Sequence, residues 1–300
     1  MAGATQPSPF GASGRSARHG RRNATNRVML GLATAATLVA LVPLVLILSY
    51  VVYKGAGALN VDFFTRSFKP VQFGKASTGA SGGVLNAIVG SLLIVGVALA
   101  LAVPIGIMAG IFLAEFPSTS AATVMRFCTD VLTAMPSIVV GVVAYTLIVQ
   151  RTRHFSGWAG SVALMVLMVP VITRTTEEIL RLVPSGVREA AMALGVPKWR
   201  YTLGVVIPMG MGGIVTGILL AFARASGETA PLLVTVLGNN NLAYNLFAPM
   251  AALPLVAYRY SDQPFPALIQ QAWGAALILV VLVLSANLLV RFATRGRLKR

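Results

Sequence analysis

The segment EEILRLVPSGVREAAMALGVPKWRYTLGVVIP, Glu177–Pro208, lies between two strongly apolar stretches and decides how the chain folds. Its spacing predicts a short helix that begins near Ser185, a residue type that caps helices, and ends at Gly195, which tolerates a left-handed turn. Small apolar residues recur between them at the spacing of one helical face: Val187, Ala190, Ala191 and Leu194. This face suits either an amphipathic connector resting on a membrane or a docking element for a soluble partner.

The composition of the chain is unusually apolar. Of its 300 residues, 56% are hydrophobic and 11% are charged, whereas an ordinary globular domain has about 25% charged residues. This balance predicts a multi-pass membrane protein. The net charge of +16 does not indicate nucleic-acid binding, because Lys and Arg flank apolar segments and form no single patch.

Six apolar stretches approach or exceed the roughly 20 residues that a membrane helix needs. They are Val28–Val52, Val84–Ala114, Phe127–Gln150, Trp158–Thr173, Met209–Leu237 and Ala267–Leu289. Lys and Arg number sixteen on one side of these spans and seven on the other, and the richer side is cytoplasmic. The sequence therefore predicts an all-α integral membrane protein with six transmembrane helices and both termini in the cytoplasm.

The predicted organisation has three parts. Residues 1–27 form a disordered basic cytoplasmic tail, residues 28–292 form the six-helix domain with its cytoplasmic loop 177–208, and residues 293–300 form a second basic tail. A single cysteine excludes an internal disulfide, and no Cys or His cluster has the spacing of a metal site. We expect no metal, no cofactor and no ATP hydrolysis by this chain, because a Gly-x-x-x-x-Gly-Lys-Ser/Thr phosphate loop does not occur.

Two opposite charges lie near the middle of the fifth predicted span, in the stretch FARASGETAPLL. They are Arg224 and Glu228. A charge at this depth costs about 2.5–3.5 kcal/mol, so such groups face a bundle interior or an aqueous path. Their spacing lets them pair, while Gly227 and Pro231 predict an irregular helix around the glutamate. Two interpretations remain open: a salt bridge that locks helices together, or a paired arginine that presents its planar donor fork to an oxyanion.

The cytoplasmic loop also carries a motif that resembles the EAA loop of ABC-importer permeases. The matching residues are Glu189, Ala190, Ala191, Gly195 and Pro208, with Val205 and Ile207 as conservative departures. In that family the loop inserts into a cleft on a separate ATPase subunit, so the resemblance implies a docking role for these residues. It also implies the permease fold of type I ABC importers.

Four further segments resemble the PstA family of phosphate permeases: Ser81–Phe116, Ala134–Gly141, Arg174–Pro184 and Ala223–Leu233. This resemblance implies a subunit that forms half of the path of an ATP-driven importer of inorganic phosphate in the bacterial cytoplasmic membrane, surrounded by lipid. The implied partners are a second permease of similar fold (PstC-like), a dimeric ATPase (PstB-like) and an external phosphate-binding protein (PstS-like). It further implies that Arg224 and Arg174 belong to the transport machinery.

Other interpretations follow from the same residues. Arg174 lies at the end of the fourth predicted span. An arginine at such a position can also have no transport role and simply extend its charged group to the membrane interface, which is called snorkelling. An arginine does not distinguish tetrahedral anions, so an importer for sulfate or molybdate is the alternative within this class. A secondary transporter would need no ATPase, and a membrane sensor would need no buried arginine.

Overall fold

The computed structural model of the protein describes residues 12–68 and 82–295. Within these ranges the chain is helical and contains no β-strand, apart from two isolated bridges. The helices are α1 Ala12–Ala56, α2 Val61–Thr65, α3 Leu85–Glu115, α4 Ser120–Ala134, α5 Ser137–Ala144, α6 Gln150–Thr152, α7 Gly157–Arg181, α8 Ser185–Ala193, α9 Lys198–Tyr201, α10 Ile207–Gly227, α11 Ala230–Thr235, α12 Leu253–Ser261 and α13 Pro266–Arg295. Two π-helical turns, Tyr145–Val149 and Thr202–Val206, join α5 to α6 and α9 to α10.

The chain divides into two compact units, Met1–Tyr53 and Lys54–Arg300. The first contains all but the end of α1, which is already helical at Ala12, inside the stretch 1–27 that the sequence predicted to be disordered. Arg and Ala are good helix formers, so the helix of the apolar span can continue outwards through them. The rest of that tail, residues 1–11, and the last residues of the predicted tail 293–300 lie outside the described residues.

Five helices in the described part of the chain are long and apolar enough to cross a membrane. They are Thr25–Ala56, Leu85–Glu115, Gly157–Arg181, Lys198–Gly227 and Pro266–Phe292. A sixth crossing is formed if the pair Ser120–Ala134 and Ser137–Thr152, which is bent by 104°, counts as one span. With that pair included, the number of spans agrees with the sequence.

The third predicted span, Phe127–Gln150, is a bent pair of helices and not one continuous helix. It is interrupted at Met135 and Pro136. Proline lacks a backbone N–H and disfavours the helical conformation of the residue before it. Met135 is accordingly extended, with φ −69° and ψ 134°. The interruption turns α5 away from the direction of α4.

The fourth span is longer than predicted, and the fifth is interrupted where Gly227 and Pro231 predict an irregular helix. Helix α7 continues past Thr173 to Arg181, so the predicted loop 177–208 begins inside this helix. Polar residues do not stop a helix that emerges from the membrane, which is why hydropathy placed its end too early. The predicted span Met209–Leu237 is not one helix, because α10 ends at Gly227.

Helix α7 is the central helix of the second unit, and glycines on two neighbours let their backbones approach it closely. A Cβ atom at Gly110 of α3 would lie 2.5 Å from the Cβ of Thr176. A Cβ atom at Gly213 of α10 would lie 2.5 Å from the Cδ1 of Ile179. Small residues at helix contacts are how membrane helices gain close packing. The position of α7 therefore depends on these glycines.

We expect Gly110→Ala to lower the stability of the folded protein, because overpacking costs about 1–3 kcal/mol. Gly96→Ala is the matched control on the same helix, since a Cβ there meets nothing within 4 Å, and alanine favours the helix. Thermal unfolding of the purified protein in detergent measures both. Equal melting temperatures for the two variants would contradict the close approach of α3 and α7.

Candidate functional site

The helix around Glu228 is interrupted, as the sequence predicted. Helix α10 ends at Gly227, Glu228 is extended with φ −72° and ψ 119°, and α11 begins at Ala230. Pro231 lies in the first turn of α11, where the missing N–H of proline leaves no helical hydrogen bond unmade. The chain therefore breaks helical geometry next to the acidic residue within the apolar region.

Arg224, in the last turn of α10, and Glu228, which caps that helix, form an ion pair beside this break. The guanidinium Nε of Arg224 lies 3.5 Å from Oε1 of Glu228, and the two side chains are 46% and 18% exposed. Among the described residues, Glu228 is the only carboxylate within 4 Å of Arg224. The separation exceeds the roughly 2.7–2.9 Å of a charge-assisted hydrogen bond. The guanidinium therefore keeps donors that a further anion can use.

The interruption between α4 and α5 lies close to this one in space. A Cβ atom at Gly141 of α5 would lie 2.6 Å from the Cα of Pro231 on α11, so the two short helices are in backbone contact. Irregular backbone at membrane depth is tolerated where protein buries it or where it lines a water-filled cavity. Two interrupted helices packed together therefore form the candidate substrate site.

Arg174 does not lie with this pair. Its Nε lies 3.1 Å from Oε1 of Glu178, and its Nη1 lies 3.9 Å from carboxylate oxygens of both Asp130 and Glu177. The next residue along α7, Thr175, packs against Gly217 of α10. Gly217 precedes Arg224 by seven residues, or about 10 Å along the helix axis. Arg174 and Arg224 thus lie at different heights along the helix axes. Arg174 has three carboxylate side chains within 4 Å.

Glu177 is a buried carboxylate that joins three helices. Its side chain is 2% exposed, and its Oε1 lies 2.8 Å from both Arg126 of α4 and Arg181 of α7. Arg126 also donates to the backbone oxygen of Leu113 in α3, at 3.0 Å. Because a buried charge is costly unless paired, this cluster fixes the ends of α3, α4 and α7 relative to one another.

Glu115 is a second buried carboxylate, and it holds the loop that carries the EAA motif. Its side chain is 3% exposed, and Oε1 accepts a 2.5 Å hydrogen bond from Arg188 of α8. Arg188 also donates to the backbone oxygen of Leu180 at 2.7 Å, and Lys198 donates to that of Glu115 at 2.6 Å. Helices α8 and α9 are therefore anchored to the ends of α3 and α7.

The predicted docking residues lie on the outside of this anchored loop. Glu189, Ala190, Gly195 and Pro208 are exposed, while Ala191 is half-buried. Gly195 adopts the predicted left-handed conformation, with φ +73° and open space where a side chain would be. Several large apolar side chains are exposed beside them: Leu182, Met192, Leu194 and Trp199. The loop thus exposes apolar side chains, and Glu189 on the same loop has no ion-pair partner in the described structure.

One local prediction about this loop was wrong. Ser185 does not cap α8 but is its first residue, and Pro184 occupies the capping position without a side-chain hydrogen bond. The fixed φ of proline, −55° here, already suits the entry into a helix. The helix start therefore moves by one residue, and the exposed face of the loop is unchanged.

Within residues 12–68 and 82–295, no group of three or more His, Cys, Asp or Glu side chains is arranged to hold a metal ion. The structure offers a half-exposed guanidinium at interrupted helices, and an exposed apolar loop anchored by buried carboxylates.

Comparison with known proteins identifies the family. Residues 102–298 match the binding-protein-dependent transport system inner membrane components. Over 271 residues, the chain is 42% identical to the phosphate transport system permease protein PstA of Haemophilus influenzae and 44% identical to that of Yersinia pestis. These alignments cover 90% of this chain, and 94% and 90% of the two relatives. The chain belongs to the PstA family of permeases.

A solved structure shows the fold that this PstA-family chain adopts. The inward-facing methionine ABC transporter MetNI contains a chain that superposes with a TM-score of 0.60 at 19% sequence identity. The match covers 71% of this chain and 95% of that one. The predicted type I ABC importer permease fold is therefore confirmed, and the protein is a multi-pass inner-membrane component.

Sequence reasoning missed the two anchoring glutamates of this PstA-family chain. Glu115 ends a long apolar helix, and Glu177 is followed four residues later by Arg181. The chain has only eight acidic residues against 24 basic ones. In such a composition, an acid at the end of an apolar span is itself a signal of a buried ion pair.

We expect Glu115→Gln to loosen the predicted docking loop, which consists of α8, α9 and the turn between them, because breaking a buried ion pair costs about 3–5 kcal/mol. Chymotrypsin should cleave after the exposed Trp199 faster than in the wild-type protein. Combining Glu115→Gln with Arg188→Gln should restore part of the protection by removing the unpaired cation. Glu189→Gln, at an exposed position without an ion-pair partner, is the control and should leave the rate unchanged. If chymotrypsin cleaved the Glu115→Gln variant as slowly as the wild-type protein, the anchoring role of Glu115 would be contradicted.

Proposed function

We propose that this chain is the permease subunit of an ATP-driven importer of inorganic phosphate and forms half of its translocation path. The two named relatives are phosphate transport system permeases and align with nine-tenths of the chain. The main structural support for the substrate site is the half-exposed guanidinium of Arg224. It forms a long ion pair with Glu228 where α10 ends.

In this proposal Arg224 presents a fixed positive group to phosphate, and Glu228 holds it between passages. A guanidinium binds two oxygens of an oxyanion at once, and an unpaired one would release the anion slowly. The carboxylate at 3.5 Å competes for the same donors, so it lowers the barrier to release. Arg224 and Glu228 thus act as an exchangeable pair.

Arg174 is proposed to act nearer the docking loop. It lies about 10 Å further along the helix axis than Arg224 and is close to the carboxylates of Asp130, Glu177 and Glu178. Three carboxylates weaken its attraction for an anion. We therefore assign it a secondary place in the path, where it also helps to fix α7 against α4.

The remaining subunits follow from the docking loop and from the need for a second half of the path. We propose that the exposed EAA residues contact a dimeric, PstB-like ATPase, that a PstC-like permease completes the path, and that a PstS-like protein delivers phosphate from outside. The excess of Lys and Arg supports a cytoplasmic position for the docking loop and for both termini.

Gly195→Asp tests the docking surface. The change adds a charge to the exposed apolar loop and places a side chain at φ +73°, a backbone conformation that residues with a side chain rarely adopt. We expect the variant to insert normally but to co-purify with little ATPase. Gly186→Asp is the control, because it adds the same charge in open space at an ordinary φ. Recovery of a full complement of ATPase with Gly195→Asp would refute the docking role.

The double variant Arg224→Gln, Glu228→Gln tests the substrate site. Arg224→Gln alone leaves Glu228 unpaired, so a loss of uptake would not separate transport from folding. The double variant removes both charges together and should assemble, hydrolyse ATP and import phosphate at a small fraction of the wild-type rate. Uptake of labelled phosphate into membrane vesicles measures this. Near-normal uptake by the assembled double variant would leave the pair as a structural lock only.

A further inference from the structure

A polar cavity lies at the end of α3 opposite to the docking loop. It has a volume of about 460 Å³ and is lined by the first turn of α3, the segment after α11 and one face of α12. Asn86, in this lining, precedes Glu115 by 29 residues on α3, which corresponds to about 43 Å of helix. In the proposed orientation the cavity is therefore external.

Among the residues that the structure describes, the only charged side chain in the cavity lining is that of Arg259. This guanidinium is half-buried, and no carboxylate in the described part of the chain lies within 4 Å of it. Burial raises the pKa of the neighbouring Tyr260 to about 12, against the opposing effect of Arg259. The phenol is thus neutral at physiological pH and does not compensate the positive charge.

The backbone beside Arg259 is shaped to bring the guanidinium close. Leu237 and Gly238 have positive φ angles of 63° and 86°, a conformation that favours glycine. A Cβ atom at Gly238 would lie 2.9 Å from Nη1 of Arg259. Glycine at this position therefore makes room for the arginine at the cavity wall.

Asparagine amides supply polar groups around the same cavity. Asn86 is buried and donates to the backbone oxygen of Asn239 at 2.7 Å, which ties the segment to α3. Asn239 in turn donates to the backbone oxygen of Pro249 at 3.0 Å. The next residues, Asn240 and Asn241, are exposed at the cavity, and their side-chain amides can donate to a bound molecule.

We propose that this cavity is an entry subsite that receives a tetrahedral oxyanion before it reaches Arg224. Arginine matches two oxygens of such an anion, and asparagine amides can donate to the others. The proposal rests on the proposed function, because it names an earlier station for the same substrate. Because the guanidinium of Arg259 is only half-buried, water still screens its charge and its affinity for the anion stays modest. A modest affinity suits an anion that must leave this subsite for the next one. An acidic side chain of an external protein is the competing occupant.

A cysteine at the cavity measures its occupancy directly. In the assembled complex, with Cys128→Ala to remove the single native thiol, Asn240→Cys is labelled by a membrane-impermeant thiol reagent from outside, without ATP. Inorganic phosphate should slow the labelling by a factor of one plus its concentration over its Kd, or about tenfold at ten times the Kd. Tyr244→Cys, exposed in the same segment but outside the cavity lining, is the control and should be unaffected.

Arg259→Gln in the Asn240→Cys background should abolish the protection by phosphate, and Arg259→Lys should retain part of it. Absence of protection, or protection that survives Arg259→Gln, would overturn the proposal. Protection that needs the external binding protein and not phosphate would also overturn it, in favour of a protein contact. Uptake by the wild-type complex reports the proposed function separately: protection without phosphate uptake would contradict that function and leave an external oxyanion site that is not an entry step.

Discussion

Two buried carboxylates fix the docking loop and the helix ends beneath it: Glu115 joins α8 to α3, and Glu177 joins α7 to α4. Each is almost fully removed from solvent and each is paired with arginine. A carboxylate in such a position is stable only while its partners remain, because an unpaired buried charge costs several kcal/mol. Arg188 and Arg126 are therefore held as firmly as the carboxylates. The loop and the helix ends form one packed unit as a consequence.

This unit is continuous with the proposed substrate site. Glu115 joins α8 to α3, glycines hold α3 against α7, and Glu177 joins α7 to α4. Helix α4 leads into the break at Pro136, and α5 beyond it contacts α11 at Gly141. An unbroken series of contacts thus connects the docking loop with the interrupted helices. A movement of the loop can be transmitted to them through these contacts. Packed side chains and ion pairs of this kind can carry energetic coupling between two sites.

Much of this arrangement follows from the sequence, and the exceptions have physical causes. Apolar length located the spans, and Gly227 with Pro231 located the break beside Glu228, because these residue types act through local backbone geometry. Hydropathy placed the end of α7 too early, since it measures apolar character and not helix length. The partners of Glu115 could not be predicted, because Arg188 is 73 residues away and only tertiary packing brings them together.

Reconstitution of the transporter shows whether the chain serves ATP-driven import of phosphate. The complete complex, with its second permease, ATPase and external binding protein, is placed in proteoliposomes and supplied with labelled phosphate. We predict that phosphate accumulates only when ATP is present at the ATPase, and that excess sulfate does not reduce the accumulation. Accumulation without ATP would contradict the account in favour of a secondary transporter, and equal accumulation of sulfate would contradict the assignment of phosphate.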